Sequence, residues 1–111
     1  METVEITKLA QEYLELAAAT SSGRHSHTLY GGHGHVLRQT LMALTSGNGL
    51  SEHDNAGEAT LQVIMGRLSL NTSVESIECG VGDLLVVPNV LHSVTALADS
   101  AFLLTVVVPQ Q

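Results

Sequence analysis

The sequence predicts an all-β domain, folded as a small antiparallel sandwich or barrel, with one α-helix at its N-terminus. Three observations predict it: an amphipathic segment at the start, a series of short apolar segments after Gly23, and strict alternation in one of those segments. The chain has 111 residues, of which 44% are hydrophobic and 14% charged. This length and composition are typical of a single globular domain with one core.

The N-terminal segment predicts a helix over residues 3–19, because its apolar residues recur at helical spacing. Thr3 is the predicted N-cap, and the Ser21-Ser22-Gly23 run is the predicted end of the helix. We expect residues 1–22 to form a helix packed on a barrel domain of residues 23–111. The predicted apolar stripe consists of Ile6, Leu9, Ala10, Tyr13, Leu16 and Ala17.

The rest of the chain predicts short strands separated by turn residues at near-even spacing. In residues 59–65 the alternation predicts one inward face, with Glu58 on the opposite, outward face. Ile64 breaks the outward pattern, which predicts that the helix or a partner subunit covers that part of the sheet. The inward residues are Ala59, Leu61, Val63 and Met65. The predicted strands are 27–30, 35–45, 59–65, 67–71, 75–79, 84–87, 91–97 and 101–108.

Composition and charge exclude several classes of function. Four basic and eleven acidic residues give a net charge of −7, which supplies no basic patch for nucleic acid or an anionic membrane. No apolar run approaches the length of a membrane span, and the acidic N-terminus does not resemble a signal peptide. We therefore expect a cytoplasmic protein. Cys79 is the only cysteine, so no internal disulfide forms, and we expect it to be a small apolar core residue.

Two stretches carry histidines at regular distances from glycine. In the first, five residues separate Gly47 from His53, Asn55 follows two positions later, and Ala59 precedes Gly66.

In the second stretch, five residues separate Gly82 from Pro88, and His92 follows after a short turn that contains Val90. Together the two stretches resemble the paired motifs of the cupin superfamily, although Val90 replaces a glycine and His92 comes one residue early. The resemblance extends over roughly residues 35–108.

The cupin resemblance implies an antiparallel jelly-roll barrel, a homodimer and a divalent metal held by the motif histidines and glutamate. Of those positions, only His53 and His92 keep a ligand residue in this chain. Asn55 offers a poor transition-metal ligand, and Ala59 offers none. We therefore expect a degenerate, weak or absent site for Zn, Ni, Fe or Mn.

Two further histidines, His33 and His35, lie two residues apart beside a predicted strand, which places their side chains on one face. Either they reach the pocket and rebuild a three-histidine metal site, or they are exposed or interface residues. Another pair, His25 and His27, follows the helix, where we expect surface imidazoles.

The alternation on the strand after His35 directs either Arg38 or Gln39 inward. Arg38 either anchors a carboxylate or carbonyl of a ligand or forms an ion pair with an acidic residue of the helix or of a partner subunit. Its neighbours in the predicted barrel are mostly apolar, which favours a small organic ligand. The predicted ligand-binding residues are Arg38, Asn55, Leu61, Val63, Met65 and His92.

Two functions remain open. The first is a binding protein that holds a small organic ligand in an apolar barrel pocket. The second is a metal-dependent enzyme of the dioxygenase or isomerase type, which uses His53, His92 and a further histidine.

Overall fold

The computed structural model describes residues 1–54 and 57–108, which form one α-helix and nine antiparallel strands. The predicted all-β architecture with an N-terminal helix is confirmed. The elements are α1 (Ile6–Ala18), β1 (Arg24–Tyr30), β2 (Leu37–Leu44), β3 (Gly49–His53), β4 (Ala59–Met65), β5 (Arg67–Asn71), β6 (Ser76–Gly80), β7 (Leu84–Val86), β8 (His92–Ala96) and β9 (Ser100–Val107).

The strands form two sheets that face each other, in the arrangement of a jelly roll. One sheet has five strands in the order β1-β2-β9-β4-β7, and the other has four in the order β3-β8-β5-β6. Strands that are distant in sequence are neighbours, since β9 lies between β2 and β4. The two sheets are not joined at their edges.

Helix α1 begins at Ile6, three residues later than the spacing of apolar residues predicts. The prediction of Thr3 as the N-cap is therefore wrong. The N-cap position is Glu5, whose side chain makes no capping hydrogen bond. The backbone carbonyl of Glu5 accepts the first hydrogen bond from the Leu9 N–H, at 3.0 Å. With 13 residues, this helix is too short to cross a bilayer, and the described chain contains no membrane-spanning helix.

The hydrophobic side chains divide into two cores on either side of the five-stranded sheet. The inner core lies between the two sheets and includes Phe102, Leu44 and Leu68. The outer core lies between α1 and the five-stranded sheet, where Tyr13 packs near Leu41. Ile64 packs in the outer core, so the helix covers the face of β4 on which Ile64 interrupts the polar pattern. Of the two predicted covers, the helix or a partner subunit, the structure shows the helix.

The alternation in β4 holds for Ala59, Leu61 and Val63, which lie in the inner core, but it fails at Met65. The pairing of β4 with β9 shifts register between Val63 and Met65. Because such a bulge adds one residue to the strand, the next side chain changes face. Met65 therefore packs against the outer core under α1, and the prediction that it faces the barrel interior is wrong.

Strand β3 is absent from the predicted strands. Its sequence, GLSEH, has a single large apolar residue, Leu50, and it follows a run that reads as a turn. It forms because β8 offers it a partner, with Gly49 opposite Thr95 and Leu50 opposite Val94. An edge strand exposed on one side needs little hydrophobic pattern of its own.

Candidate functional site

Two imidazoles meet on the inner face of the four-stranded sheet, where β3 ends and β8 begins. His53 and His92 are directly opposite each other in the β3–β8 pairing. Their ring centroids are 4.5 Å apart with the planes at 60°. His92 is 2% exposed, whereas His53 is half-buried. The structure therefore places these two candidate ligands in direct contact.

Both imidazoles are held through Nδ1 by the backbone. His53 Nδ1 lies 2.8 Å from the Ser51 carbonyl oxygen, and His92 Nδ1 lies 2.8 Å from the Val90 carbonyl oxygen. A carbonyl oxygen only accepts hydrogen bonds, so each Nδ1 carries the proton and donates it. In a neutral ring the lone pair then resides on Nε2. The pair thus offers two Nε2 atoms that can accept hydrogen bonds or bind a metal.

The described residues around this pair do not complete a metal centre. Protein metal sites normally present three or four ligands. In the described ranges 1–54 and 57–108, no three side chains of His, Cys, Asp or Glu come together closely enough to hold an ion. The position of the expected glutamate is occupied by Ala59, which lies in the inner core. Asn55, the predicted polar contact, lies outside the described residues.

The other histidines lie away from this pair. His33 and His35 are exposed in the turn between β1 and β2, and the His35 ring lies 5.1 Å from the Tyr30 ring. Tyr30 is opposite Gln39, on the outer side of the five-stranded sheet. The exposed positions of His33 and His35 match the prediction of exposed or interface residues. The alternative, a site that His33 or His35 forms with His53 and His92, is not formed. His25 packs edge-on against Tyr13 of the helix, with ring centroids 4.8 Å apart.

Arg38 occupies the inward position that the alternation allows, opposite Val106. It is exposed near the start of β2, and among the described residues it forms no ion pair. An ion pair with an acidic residue of the helix is therefore not made, whereas an ion pair with a partner subunit and the ligand-anchoring role stay predictions. Gln39 points to the outer side, where its Nε2 donates to the hydroxyl of Thr105 at 3.3 Å.

The apolar residues expected to line an open barrel pocket fill the core instead. Leu61 and Val63 are buried in the inner core. A concavity of about 600 Å³ lies elsewhere, at the border of β4, β7 and β9, and includes neither histidine. Its wall contains Thr60, Val86, Thr105 and Val107, which sequence reasoning missed. The outward position of Thr60 in the β4 alternation was the one available signal.

Cys79 is buried in the inner core, as the sequence predicts for a small apolar residue. Burial raises the pKa of its thiol, and the nearby Asp83 carboxylate adds to this rise. Arg67 acts in the opposite direction but does not outweigh these two effects. A protonated, inaccessible thiol is a poor nucleophile and a poor metal ligand.

Solved structures identify this architecture. The chain superposes on a cupin superfamily protein from Desulfitobacterium hafniense with a TM-score of 0.72 and 17% identity, over 85% of this chain and 88% of that one. The chain has a cupin fold. The fold expected from the two histidine-containing motifs is therefore confirmed.

Two further solved structures that match this chain differ in size. A conserved protein of unknown function from Streptococcus pyogenes matches with a TM-score of 0.72 and 24% identity, over 83% of this chain and 80% of that one. Salicylate 1,2-dioxygenase from Pseudoaminobacter salicylatoxidans, in complex with gentisate, matches with a TM-score of 0.74 and 20% identity. The match covers 95% of this chain and 32% of that enzyme. No protein-family profile matches the sequence, and no curated protein is significantly similar to it.

Proposed function

We propose that this protein is a small cupin that binds a hydroxyl-bearing organic molecule at the His53–His92 pair, without a tightly bound metal. The observation that carries the proposal is the Nδ1 hydrogen bond of each ring to a backbone carbonyl. When the rings are neutral, these bonds leave two Nε2 atoms as acceptors, close together at the end of an apolar barrel. An acceptor pair of this kind is suited to a ligand with two O–H donors.

The surroundings of the pair support a ligand with an apolar body. Val94 is the next inward residue after His92 on β8, and Leu50 lies opposite it. Both belong to or pack against the inner core. Ligand sites in proteins commonly combine apolar walls with a few polar groups that set orientation. His92 is buried and orients one end of the ligand, whereas the half-buried His53 lies on the side of entry.

The incomplete ligand set supports binding without a firmly held metal. Two imidazoles form a weak site for a transition metal when no carboxylate or third imidazole joins them. Among the described residues no such third group reaches the pair. A ligand that donates hydrogen bonds to Nε2 competes for the same lone pairs that a metal would need.

Nitrogen NMR of the histidine rings, recorded with excess EDTA present, tests this proposal. We expect catechol, added as the probe, to shift the Nε2 resonances of His53 and His92. Its dimethyl ether, which has the same ring but no O–H donor, is the matched control and should leave them in place. His92→Asn keeps a donor near the Nδ1 position but lacks Nε2, so it should lose the response. Equal shifts with both compounds, or none with either, would contradict the proposal.

A second candidate function is a metal-dependent enzyme of the dioxygenase or isomerase type. The Nδ1–H to carbonyl hydrogen bond that favours it is also the arrangement that orients metal-binding histidines. The fold match to salicylate 1,2-dioxygenase is consistent with such chemistry on this scaffold. A bound ion there would act as a Lewis acid toward oxygen or a carbonyl group. The described side chains do not complete its ligand set, so no catalytic step is assigned to them.

Metal analysis separates the two candidates. Purified protein is incubated with Zn, Ni, Mn or Fe(II), passed through a desalting column and analysed by mass spectrometry for bound metal. The binding proposal predicts far less than one ion per chain after the column. One ion per chain, lost in both His53→Ala and His92→Ala, would establish the metal-dependent alternative instead.

A further inference from the structure

We propose that a cleft between the two sheets, separate from the His53–His92 pair, binds a small organic monoanion with an aliphatic tail. Strands β1 and β3 are each the outermost strand of their sheet, and the cleft lies between them, where the two sheets are not joined. We call it the edge cleft. It has a volume of about 280 Å³ and is lined by Ser22, Arg24, His25, Ser26, Met42 and Leu50.

The strand register places Arg24 and Ser26 on the inner side of β1. In the pairing of β1 with β2, Arg24 is opposite Leu44 and Ser26 is opposite Met42. Directly opposed residues share one face of a sheet, and both Leu44 and Met42 pack in the inner core. The guanidinium and the hydroxyl therefore lie on the side that faces the other sheet, whereas the His25 ring between them packs against the helix.

Hydrogen bonds hold this arginine at the entrance of the edge cleft. Gly23, directly before it, is buried, and its carbonyl oxygen accepts the Thr45 N–H at 2.9 Å. The Ser22 hydroxyl oxygen accepts the Arg24 N–H at 3.3 Å. Thr45 lies in the connection from β2 to β3, so the start of β1 is tied to the segment that leads to Leu50. The same hydrogen bonds thus position both walls of the edge cleft.

The charge distribution favours an anion in the edge cleft. The chain carries a net charge of −7 with four basic residues, yet Arg24 forms an ion pair with none of the described acidic residues. The Arg67 guanidinium, by contrast, is paired with Glu78 at 2.9 Å. No described aspartate or glutamate lines the edge cleft. A guanidinium presents parallel N–H donors that match a carboxylate, and the Ser26 hydroxyl is a further donor on the same side.

The size and the inner wall of the edge cleft define the rest of the ligand. Met42 and Leu50 are half-buried and pack against the inner core, so they offer an apolar wall behind the arginine. Its volume is just below the roughly 300–1,000 Å³ of drug-sized ligand sites. A single arginine on an acidic protein favours one negative charge over two, because the field of the whole chain repels anions. The ligand class is therefore a short aliphatic monocarboxylate.

Methyl NMR of protein labelled with ¹³C-methyl methionine tests this proposal, with hexanoate as the probe. Met42 lines the edge cleft, whereas Met65 packs under α1 and is an internal reference. We expect hexanoate to shift the Met42 methyl resonance saturably and to leave Met65 in place. Hexanamide, which has the same carbon chain without the charge, is the matched control. It should bind about tenfold more weakly, because it lacks the charge-assisted hydrogen bonds.

Two pairs of variants assign the anion to the edge cleft. Arg24→Gln should weaken hexanoate binding about tenfold, whereas Lys8→Gln removes an exposed positive charge from α1 and should bind as the wild type does. Ser26→Asp places a like charge in the edge cleft and should abolish binding. Its control is Ser73→Asp, in the turn between β5 and β6, which should not affect binding. Circular dichroism establishes that each variant is folded.

An absent or unsaturable response of Met42, or equal binding of hexanoate and hexanamide, would overturn the proposal. A folded Arg24→Gln that binds hexanoate as the wild type does would also overturn it. His53→Ala should keep the wild-type affinity for hexanoate, so failure here is distinguishable from failure of the proposal for the His53–His92 pair. Loss of hexanoate binding in that variant would place the anion at the histidines and overturn the edge-cleft proposal.

Discussion

At the scale of single residues, the two histidines are chemically alike but structurally different. Each donates its Nδ1 proton to the carbonyl oxygen two residues earlier in the chain, so the same local turn orients both rings. Their environments differ, because His92 is buried and His53 is half-buried. Removal of either ring leaves a carbonyl without its side-chain donor, but only removal of the buried His92 ring also leaves a cavity in the interior.

Alanine substitution of the two histidines should therefore affect stability unequally. We expect His92→Ala to lower the free energy of unfolding by about 2 kcal/mol, since it removes a buried ring and leaves a cavity. His53→Ala should cost less than about 1 kcal/mol, because water replaces the lost donor. Urea unfolding followed by circular dichroism measures both. Equal losses would contradict the burial difference on which the binding proposal relies.

The buried thiol of Cys79 should make the free energy of unfolding decrease at alkaline pH. Its pKa is raised in the folded state, so the folded chain holds this proton more tightly than the unfolded chain, whose thiol has the ordinary value of 9.0. Below pH 9.0 this thiol therefore does not lower stability, and above that value stability falls as the pH rises, since the unfolded state releases the proton first. Cys79→Ala removes this contribution.

We expect wild type to lose more unfolding free energy than Cys79→Ala when the pH is raised from neutral to above the ordinary thiol value. Urea titrations of both proteins at the two pH values provide the comparison, and all other titrating groups are shared. Parallel losses in the two proteins would show that the thiol is not the cause.

At the scale of elements, small residues set how closely α1 approaches the sheet. Ala10 and Ala17 on the helix and Ala43 and Ala101 on the sheet are fully buried. The helical spacing of apolar residues predicts the helix. The requirement for alanine at these positions arises only from the close contact of the helix and the sheet. Closely packed interfaces tolerate added volume poorly.

Leucine at two neighbouring alanines should show this requirement directly. We expect Ala17→Leu to destabilise the protein by about 1–3 kcal/mol, because the added methyl groups have no space between α1 and the sheet. Ala18→Leu, on the exposed side of the same helix turn, should change stability by less than about 0.5 kcal/mol. Thermal unfolding of both variants measures the difference. Similar melting temperatures for Ala17→Leu and Ala18→Leu would contradict the close packing of α1 on the sheet.

The turn between β4 and β5 contains a glycine that no other residue can replace. Gly66 has φ +81°, and a Cβ there would collide with the backbone carbonyl oxygen of Asp99 and with Ser100. Gly82 also has a positive φ, +90°, but a Cβ there would meet no atom within 4 Å. The two positions therefore separate backbone strain from steric collision.

We expect Gly82→Ala to cost about 1 kcal/mol, which is the penalty for a left-handed backbone conformation in a residue with a side chain. Gly66→Ala should cost clearly more, because the collision with Asp99 and Ser100 adds to that penalty. Chemical denaturation compares the two. A cost at Gly66 no greater than at Gly82 would mean that the turn relaxes freely.

At the scale of the whole molecule, the five-stranded sheet belongs to both cores. On β2, Leu41 packs under the helix and Leu44 packs in the barrel, and on β9 Ala101 and Phe102 divide in the same way. Loss of one core therefore weakens strands on which the other core also depends. Shared strands of this kind favour one cooperative unfolding transition.

Unfolding should accordingly occur in a single step. Circular dichroism at the helix band reports α1, and tyrosine fluorescence reports Tyr13 in the outer core and Tyr30 at the end of β1. We expect the two urea transitions to have the same midpoint and the same slope. A helix transition at clearly lower urea would show that α1 detaches before the barrel unfolds, which would also enlarge the apolar surface of the sheet.

Patterns between near neighbours in the chain determined much of the fold in advance. The spacing of apolar residues predicts α1, the alternation in residues 59–63 predicts the inward face of β4, and Ile64 correctly indicates a cover over the sheet. The spacing of His53 and His92 from their glycines indicates the cupin fold. The helix and the strand can be predicted because each has a backbone geometry that repeats, every 3.6 residues in the helix and every two in the strand.

The tertiary structure alone decided the features that depend on distant partners. Strand β3 forms because β8 lies beside it, Met65 changes face at a bulge against β9, and Leu61 and Val63 fill a core in which sequence reasoning placed an open pocket. The contact between His53 and His92 and the exposure of Arg38 arise from strands that are far apart in sequence. Register and packing across such distances are set by the whole fold, and no local pattern records them.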